Sequence, residues 1–572
     1  MSFNNNDQPN LKTILVTLTA FFVFMTGYNY FFENNTTNNT ETPKQTKQSD
    51  DTEEDDSSPP DEEPTSAQLT VSEALSKNCR INFENDEISG SINLKGGILD
   101  EVLLKRYKET VDKDSKNVML LTPKDTHAES YYIISYKDKT NDEIISDETV
   151  WTTVDSGRRK RTISLKTQTQ HGMVIERTVS YNDGYLINIK DKIINISDKE
   201  LKVSASSDLV CSNPALNNYA VVHDGLIGHN DDKIEEIKYS DIQNKTTLNK
   251  SGWFGYTDIY WLRAVINKHK NTTMSYSKVG DHSYRCSTHL KKDRKIKPGS
   301  ITELSYSVFV GPKDVKLLRE YSDRLDLYKF DMAIDFGWFF MITKPLLQLL
   351  GFLGHLFSSM WVVILVLTLL FKVLTYPLMK KSFSSAAKMR ELQPKIASLQ
   401  KVYGGDKLRM NQEMMLLYKK ENVSPMSGCL PMLLQAPIFF CLYKVFFISI
   451  DMRHAPLFGW IHDLSAPDPV YISNLFGMID WDPPSLLKIG IWPLIMGLTM
   501  LLQQKLSSGS NKRTGTEKTS EMKIQENMML IMPVLFTYIC ASFPVGVVIY
   551  WTISNIFSII QQYYVNNSVK KK

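Results

Sequence analysis

The sequence predicts a polytopic α-helical membrane protein with six spans that also carries a large extracytoplasmic β-sandwich domain. Most long apolar runs lie in residues 336–564, and a run of about 20 apolar residues is long enough to cross a bilayer core. Between residues 67 and 325, apolar side chains instead alternate with polar ones, which is the pattern of half-buried strands. A length of 572 residues allows two such units in one chain.

The amino end predicts a first transmembrane anchor over residues 11–32, preceded by a cytoplasmic N-terminus at 1–10. Lys12 is the one charge in this stretch, and it lies in the first turn. A cleavable signal peptide is the alternative, but it requires a shorter apolar core followed by small residues. The anchor ends instead on Tyr28-Asn29-Tyr30-Phe31-Phe32, so we expect it to remain uncleaved.

Residues 33–66 predict an acidic disordered linker. Nine acidic residues lie between Asp50 and Glu63, with no Lys or Arg among them. Such a segment has too few apolar side chains to offset the entropy lost on folding. The chain's net charge of +3 therefore averages over unlike segments and gives no indication of nucleic-acid binding.

The sandwich domain is predicted over residues 67–327. Tyr185, Ile187 and Ile189 resume an alternating pattern after the turn sequence Asn182-Asp183-Gly184, which is typical of a β-hairpin. Similar short strands recur at 88–94, 162–167, 201–205 and 302–310. About 250 residues of short strands favour one large antiparallel sandwich.

Residues 328–358 predict a helix that lies in the membrane interface. Its apolar positions recur at helical spacing, whereas Lys344, Gln348 and His355 lie off that stripe. Lys344-Pro345 also interrupts the segment. An amphipathic helix of this kind fits the membrane surface better than the membrane interior.

Five further spans are predicted in a core that extends over residues 359–564. Tyr376-Pro377 closes the first of these spans, and Pro544 separates the last two. A basic cytoplasmic tail follows at 565–572. The five predicted spans are 361–378, 429–450, 486–504, 527–543 and 545–563.

The orientation of these spans follows from the Lys and Arg residues in short loops. Residues 380–424 carry ten basic and four acidic side chains, and residues 504–525 carry five basic and two acidic ones. The loop at 451–483 has five Asp residues against Arg453 alone. We therefore expect both termini in the cytoplasm and the sandwich outside.

The loop at 380–424 predicts a cytoplasmic helical hairpin. Its turn is Gly404-Gly405-Asp406, and apolar residues with several methionines line both arms. Methionine suits adaptable contact with varied apolar partners, although plain packing between the two arms explains the same pattern. The arms include Met389, Leu392, Met414 and Tyr418 at helical spacing.

Lys372 is the residue most indicative of function. It lies roughly 16 Å along the span that begins at Trp361, about halfway through the bilayer core. A central charge costs ~2.5–3.5 kcal/mol on insertion scales and commonly faces a wet cavity or a partner. Snorkelling to the cytoplasmic interface is the alternative. Thr368 lies one turn earlier on the same face, which favours a polar stripe.

Other spans also contain polar residues. Gln435 interrupts the third span, and Ser554 and Asn555 lie in the sixth. Each alone is more typical of contacts between helices, but together they could line a hydrophilic cavity. Lys444 lies near the outer end of the third span, where we expect it to snorkel. The last five spans contain no acidic residue, so Lys372 suits an acidic group that arrives from elsewhere.

The sequence shows no sign of an enzyme, a cofactor or a metal site. It lacks a P-loop, GxSxG and HExxH, and its ten His residues form no ligand cluster. The six cysteines have no CxxC spacing, so we interpret them as free thiols rather than a disulfide framework.

Several motifs resemble the YidC/Oxa/Alb family of membrane protein insertases, in its Gram-negative form. They cover nearly all of residues 336–564 in order, and the sandwich matches more loosely through Leu94-Lys95-Gly96-Gly97. The matching stretches include Tyr376-Pro377-Leu378, Leu392-Gln393-Pro394-Lys395-Ile396, Gln412-Glu413-Met414-Met415, Pro425-Met426-Ser427-Gly428-Cys429, Gln435-Ala436-Pro437, Trp460-Ile461-His462-Asp463, Phe543-Pro544-Val545-Gly546 and Ser554-Asn555.

The resemblance implies a five-helix insertase core with a hydrophilic groove and a periplasmic β-supersandwich. The family's groove cation falls on Lys372, its polar threonine on Thr368 and its glutamine on Gln435. A substrate-contacting tyrosine pair falls on Tyr550 and Trp551, so the second position departs from the pattern. Trp offers an N–H donor but no hydroxyl. On the hairpin, the implied surface comprises Met389, Leu392, Pro394, Met414, Met415 and Tyr418.

The implied function is insertion and folding of inner-membrane proteins, alone or with the Sec translocon. Expected partners are nascent inner-membrane proteins, membrane lipids, and the ribosome or signal-recognition machinery at the cytoplasmic face. A channel or secondary transporter is one alternative, but the inverted repeats it requires are not apparent. An envelope enzyme anchored beside the sandwich is the other.

Overall fold

The computed structural model describes residues 69–508 and 531–570, apart from short gaps. The predicted N-terminus, anchor and linker therefore lie outside the described residues. The gaps fall at 139–142, 158–160, 171, 216–221, 231–232, 243–245, 249–251, 268–271, 404, 422, 424–429, 480, 482 and 485–486.

The amino-terminal part of the described chain is built mainly from strands, as the alternating pattern predicts. In chain order they are β1 (Arg80–Glu84), β2 (Ile88–Asn93), β3 (Ile98–Lys108), β4 (Asn117–Leu121), β5 (Ser130–Lys137), β6 (Glu143–Ile145), β7 (Thr152–Gly157), β8 (Thr162–Gln168), β9 (Met173–Asp183), β10 (Leu186–Asn195), β11 (Leu201–Ser212), β12 (Gly225–Asn230), β13 (Lys233–Lys238), β14 (Thr246–Leu248), β15 (Gly252–Thr257), β16 (Trp261–Asn267), β17 (Thr272–Lys278), β18 (Ser283–Leu290), β19 (Arg294–Ile296) and β20 (Ile301–Pro312).

These strands form two antiparallel sheets. The first has the order β1-β2-β3-β5-β11-β18-β17-β14, with β4, β6 and β19 at its margins. The second has the order β13-β12-β15-β16-β20-β10-β9-β8-β7. The predicted hairpin is confirmed: β9 and β10 pair with Ile189 opposite Val179. Gly184 makes its turn at φ 56°, a left-handed conformation that glycine adopts without strain.

A buried ion pair in the second sheet is hydrogen-bonded to the first sheet. Arg177 and Asp191 are both almost fully inaccessible, and two hydrogen bonds of 2.8 Å connect the guanidinium with the carboxylate. Tyr136, from the other sheet, donates its hydroxyl to Asp191 Oδ2 at 2.6 Å. Since a buried charge without a partner is strongly unfavourable, this contact fixes how the sheets face each other.

The helices are found at both ends of the β domain and throughout the carboxyl-terminal part. They are α1 (Val71–Lys77), α2 (Val315–Leu325), α3 (Phe340–Leu356), α4 (Met360–Tyr403), α5 (Lys407–Lys420), α6 (Leu430–Ile448), α7 (Ile491–Ser508), α8 (Ile531–Cys540) and α9 (Val545–Lys570). Short 3-10 turns occur at Tyr239–Asp241, Phe330–Ala333, Ile450–Met452 and Leu475–Gly477.

Among the described residues, two helical stretches are long and apolar enough to cross a membrane, Met360–Met389 and Val545–Asn567. Shorter apolar helices occur at Phe340–Leu356, Pro437–Ile448 and Ile531–Cys540. These segments overlap or adjoin the predicted spans and the predicted interfacial helix. The count of six spans remains a prediction.

Helix α4 differs from the sequence-based expectation at Pro377. The Tyr376-Pro377 pair was expected to close the span, but the helix continues through Pro377 and Pro394 as far as Tyr403. A proline removes one backbone hydrogen bond and kinks a helix rather than always ending it. The same helix therefore supplies both the span and the first arm of the hairpin.

The hairpin turns between α4 and α5, where the sequence predicts it. Asp406 caps α5 by accepting hydrogen bonds from the backbone N–H groups of Leu408 and Arg409, both at 3.1 Å. Lys395 and Glu421 form an ion pair of 2.7 Å between the two arms. At its base, Met379 and Phe383 pack against Val565 of α9.

The loop after α6 packs against the β domain. Arg453 donates to the backbone carbonyl of Glu109 at 3.1 Å and lies over the ring of Trp261, 5.3 Å from its centroid. A guanidinium over an indole face is a favourable cation–π geometry. The β domain and the helical part are therefore in direct side-chain contact.

Candidate functional site

Lys372 lies in the interior of the helical part rather than at its surface. Its side chain is 6% exposed, and its ammonium donates to Ser558 Oγ on α9 at 2.8 Å. Within the described ranges, no carboxylate forms an ion pair with Lys372. The ammonium thus has a hydroxyl to solvate it and, among the described side chains, no opposite charge, which leaves it able to attract one.

Thr368 is buried one turn before Lys372, on the same helix. Its hydroxyl donates to the backbone carbonyl of Ile364 at 2.7 Å, the usual intrahelical bond of a threonine. Thr368 therefore shares the buried face with Lys372, while its own hydroxyl is bonded within α4.

Two predicted site residues from different helices contact each other directly. Gln435 of α6 donates its side-chain amide to the hydroxyl of Tyr550 on α9 at 3.0 Å. Tyr550 is 2% exposed. A buried phenol requires a hydrogen-bond partner, so this bond fixes the separation of α6 and α9 at this level.

Asn555 connects α9 to a third helix, α7. Its side-chain amide donates to the hydroxyl of Thr499 on α7 at 3.1 Å, and both residues are buried. Ser554, the residue before Asn555, accepts a hydrogen bond from the Ser558 hydroxyl through its backbone carbonyl. Polar bonds of this type hold helices together where apolar side chains supply no directional contact.

Helix α9 is thus the element that the contacts of Lys372, Gln435 and Thr499 share. Tyr550, Ser554, Ser558 and Gln562 recur every four residues and are all buried. Since residues four apart lie on one face of a helix, they form a continuous polar face, hereafter the α9 polar face. It contacts Lys372 from α4 and Gln435 from α6.

Trp551 has a packing role in the structure. Its ring lies 4.2 Å from Phe439 of α6 and 4.3 Å from Phe536 of α8, measured between centroids. Both contacts are tilted or edge-to-face, the geometries that aromatic pairs prefer. Trp551 thereby joins three helices through apolar contact.

The predicted hairpin residues differ in their exposure. Leu392 is buried, Met389, Met414 and Tyr418 are half-buried, and Pro394 and Met415 are exposed. Burial raises the pKa of the Tyr418 phenol. Of the six predicted hairpin residues, Pro394 and Met415 are therefore the two that are exposed to a partner.

The expectation that Lys444 snorkels is wrong. Lys444 is 7% exposed, and its ammonium donates to Asp335 Oδ2 at 2.8 Å. Asp335 precedes α3 and also accepts from the backbone N–H groups of His223 and Gly337. Burial raises the pKa of Asp335, but the Lys444 ammonium and these N–H groups outweigh it, so its pKa lies below the usual aspartate value.

Three residues of this network were not predicted: Ser558, Thr499 and Asp335. Ser558 continues the four-residue spacing of Tyr550 and Ser554, so that spacing could have indicated it. Thr499 and Asp335 have no comparable local signal, because their partners are distant in sequence. In the described part of the chain, no group of three or more His, Cys, Asp or Glu side chains could hold a metal ion.

Comparison with known proteins decides the family. A family model described as "YidC periplasmic domain" matches residues 80–349, and one described as "60Kd inner membrane protein" matches residues 352–572. Membrane protein insertase YidC of Rickettsia massiliae (strain Mtu5) is 39% identical over 502 residues, which are 85% of this chain and 87% of that protein. The chain belongs to the YidC family of membrane protein insertases.

A second relative agrees with this assignment. Membrane protein insertase YidC of Pelagibacter ubique (strain HTCC1062) is 38% identical over 518 residues, 88% of this chain and 90% of that protein. A crystal structure of an active YidC insertase with its first transmembrane domain resolved is 18% identical, covers 85% of this chain and 92% of that one, and has a TM-score of 0.35.

Family membership confirms the resemblance inferred from the motifs. The chain is an inner-membrane protein, and its β domain is periplasmic. The YidC family is not a family of enzymes, which agrees with the absence of catalytic motifs in the sequence.

Proposed function

We propose that this chain inserts inner-membrane proteins and assists their folding, and that Lys372 provides the attraction for their polar flanks. The observation that carries this proposal is a buried ammonium with a hydroxyl partner and, among the described residues, no ion-pair partner. The curated relatives bear the name membrane protein insertase. Together these support a site that receives negative charge from a substrate.

The proposed first step is electrostatic. An acidic flank of an incoming helix enters a hydrophilic groove formed by α4, α6 and α9, where its carboxylate pairs with Lys372. The attraction between unit charges at 4 Å is ~1 kcal/mol in water and about 4 kcal/mol at an effective dielectric constant of 20. A partly desolvated ammonium therefore binds the carboxylate more strongly than a surface lysine.

The second step is partition of the apolar helix into lipid. Thr368, Gln435, Tyr550, Ser554 and Asn555 give the flank polar partners while it crosses. With these polar partners, the flank crosses a shorter apolar distance without hydrogen bonds. Transfer of the apolar segment into hydrocarbon then supplies the driving force.

The proposed topology has six spans, with both termini in the cytoplasm and the β domain outside. The basic composition of residues 380–424 and 504–525 supports this orientation. It directs the α4–α5 hairpin into the cytoplasm, where Pro394 and Met415 could receive a nascent chain. The ribosome or signal-recognition machinery and the Sec translocon are the proposed partners in delivery, and lipids surround the spans.

Site-specific photo-crosslinking tests this function. A photoreactive residue replaces Gln435 in the proposed groove, and the matched control replaces Phe440, an exposed position on the same helix. Arrested nascent chains of an inner-membrane protein serve as substrate. We expect crosslinks to the nascent chain from position 435 that disappear once insertion is complete. Equal labelling from positions 435 and 440 would contradict a groove.

A further inference from the structure

We infer that Asp335 and Lys444 are positioning residues, which fix helix α6 and its groove face relative to the periplasmic domain. This inference rests on the proposed insertase function, in which Gln435 of α6 contributes to the groove. It concerns the other end of the same helix. The contacts that support it extend from the β domain through the segment at 328–337, hereafter the connector, to α6.

The connector is fixed in the β domain at its amino-terminal end. Phe330 is fully buried, and its ring lies 5.0 Å from that of Trp253 and 5.4 Å from that of Phe309. The indole N–H of Trp253 donates to the backbone carbonyl of Tyr328 at 3.0 Å. Aromatic packing and a directed hydrogen bond leave the connector little freedom.

Asp335 then binds three separate parts of the chain with one carboxylate. Its Oδ1 accepts from the backbone N–H of Gly337 at 2.9 Å, and its Oδ2 accepts from the backbone N–H of His223 in the β domain, also at 2.9 Å. The same Oδ2 accepts from the Lys444 ammonium at 2.8 Å. Charge-assisted bonds of this kind are shorter and stronger than neutral ones.

The stem of Lys444 also fits closely against the connector. Gly337 has φ +69°, and a Cβ built on it would lie 3.4 Å from Lys444 Cε. The positive φ favours glycine at position 337, and the 3.4 Å distance is an ordinary van der Waals contact with the Lys444 stem. The ammonium and the aliphatic stem of Lys444 therefore both meet surfaces that the connector provides.

The consequence concerns the groove. Gln435 lies nine residues before Lys444 on α6, which is roughly 14 Å along a helix. A helix held near its carboxyl end by the Lys444–Asp335 ion pair and near its amino-terminal end by the Gln435–Tyr550 bond has a defined height and rotation. Loss of the outer contact frees the rotation that presents Gln435 to the groove.

A double-variant experiment separates positioning from stability. Lys444→Met and Asp335→Asn each leave one member of the buried pair without its partner, so we expect both to lower the thermal stability of the full chain. The combined variant removes both charges and should recover much of that stability. Lys444→Arg keeps a cation and a donor, and should behave like the wild-type chain.

Insertion and hydrogen exchange provide the readouts. In reconstituted vesicles, we expect the combined variant to insert a single-span substrate with an acidic flank roughly 5- to 10-fold more slowly than the wild-type chain, despite its recovered stability. Backbone amides at the outer end of α6 should exchange faster in the same variant. Lys344→Met is the matched control. Lys344 lies on helix α3, and its ammonium forms an ion pair of 2.6 Å with Asp331 of the connector.

Wild-type insertion and unchanged exchange in the combined variant would overturn the inference, because the pair would then serve stability alone. A different result would contradict the proposed function, namely that the wild-type chain inserts no substrate. The exchange comparison needs no substrate and decides the inference in that case as well.

Discussion

The Lys372 ammonium donates to Ser558 Oγ at 2.8 Å, and Ser558 donates in turn to the backbone carbonyl of Ser554 at 3.0 Å. The hydroxyl thus accepts from the cation while its own proton is directed to the backbone of α9. This arrangement solvates the charge from one side and joins α4 to α9. It also explains how an ammonium is retained in the interior before any substrate arrives.

Replacing Ser558 tests this solvation. Ser558→Ala leaves the ammonium without its acceptor, and a hydrogen bond to a charged group contributes about 1.5–3 kcal/mol. We expect thermal unfolding of the full chain in detergent to occur at a lower temperature. Ser558→Thr, which keeps the hydroxyl, is the control and should unfold near the wild-type temperature. Equal unfolding temperatures for the Ala and Thr variants would show that the bond has no such role.

Trp551 should be replaceable by another aromatic residue. Its two ring contacts contribute about 0.5–1.5 kcal/mol each beyond area burial. We therefore expect Trp551→Ala to reduce both stability and yield, and Trp551→Tyr to retain insertion within twofold of the wild-type rate. The measurement is insertion into vesicles at equal protein density. A large gain or loss for the Tyr variant would indicate a contact specific to the hydroxyl or indole.

The buried Lys313 makes a pH-dependent prediction. Lys313 is 3% exposed and donates to Thr257 Oγ1, and burial lowers the pKa of its ammonium to about 8. Between that value and about 10.5, the unfolded chain holds a proton that the folded chain has released. Stability therefore rises with pH across this window and is reduced below it.

Lys313→Met removes this dependence. We expect the variant to unfold at a higher temperature than the wild-type chain at pH 7, with a difference that shrinks as the pH rises from 8 towards 10. Thermal unfolding of the full chain at several pH values measures it, and Lys316→Met, at an exposed position, is the control. A difference that stays constant over this range would contradict the low pKa.

The fold could be predicted where its signal is local. The alternation around Ile187 and the Asn182-Asp183-Gly184 turn correctly indicated the β9–β10 hairpin, because strand period and turn chemistry act over a few residues. Pro377 was misleading for a similar reason. The lost backbone hydrogen bond makes proline a signal for a helix boundary, but α4 continues past Pro377 to Tyr403.

The candidate site was only partly predictable from the sequence. Lys372 was identifiable because a charge inside an apolar run is costly wherever it lies. The role of Lys444 was not, since Asp335 precedes it by 109 residues and only the folded chain brings the two together. Trp551 could be read as a departure from the family pattern, but its contacts with Phe439 and Phe536 depend on tertiary packing.

The central claim is that Lys372 acts through its positive charge, and its most direct test is insertion by Lys372→Arg and Lys372→Ala. Vesicles carry each variant at equal density, and the substrate is a single-span protein with an acidic flank. We predict that the Arg variant inserts at a rate near that of the wild-type chain, while the Ala variant and Lys372→Glu fail. Normal insertion by Lys372→Ala would contradict the electrostatic account.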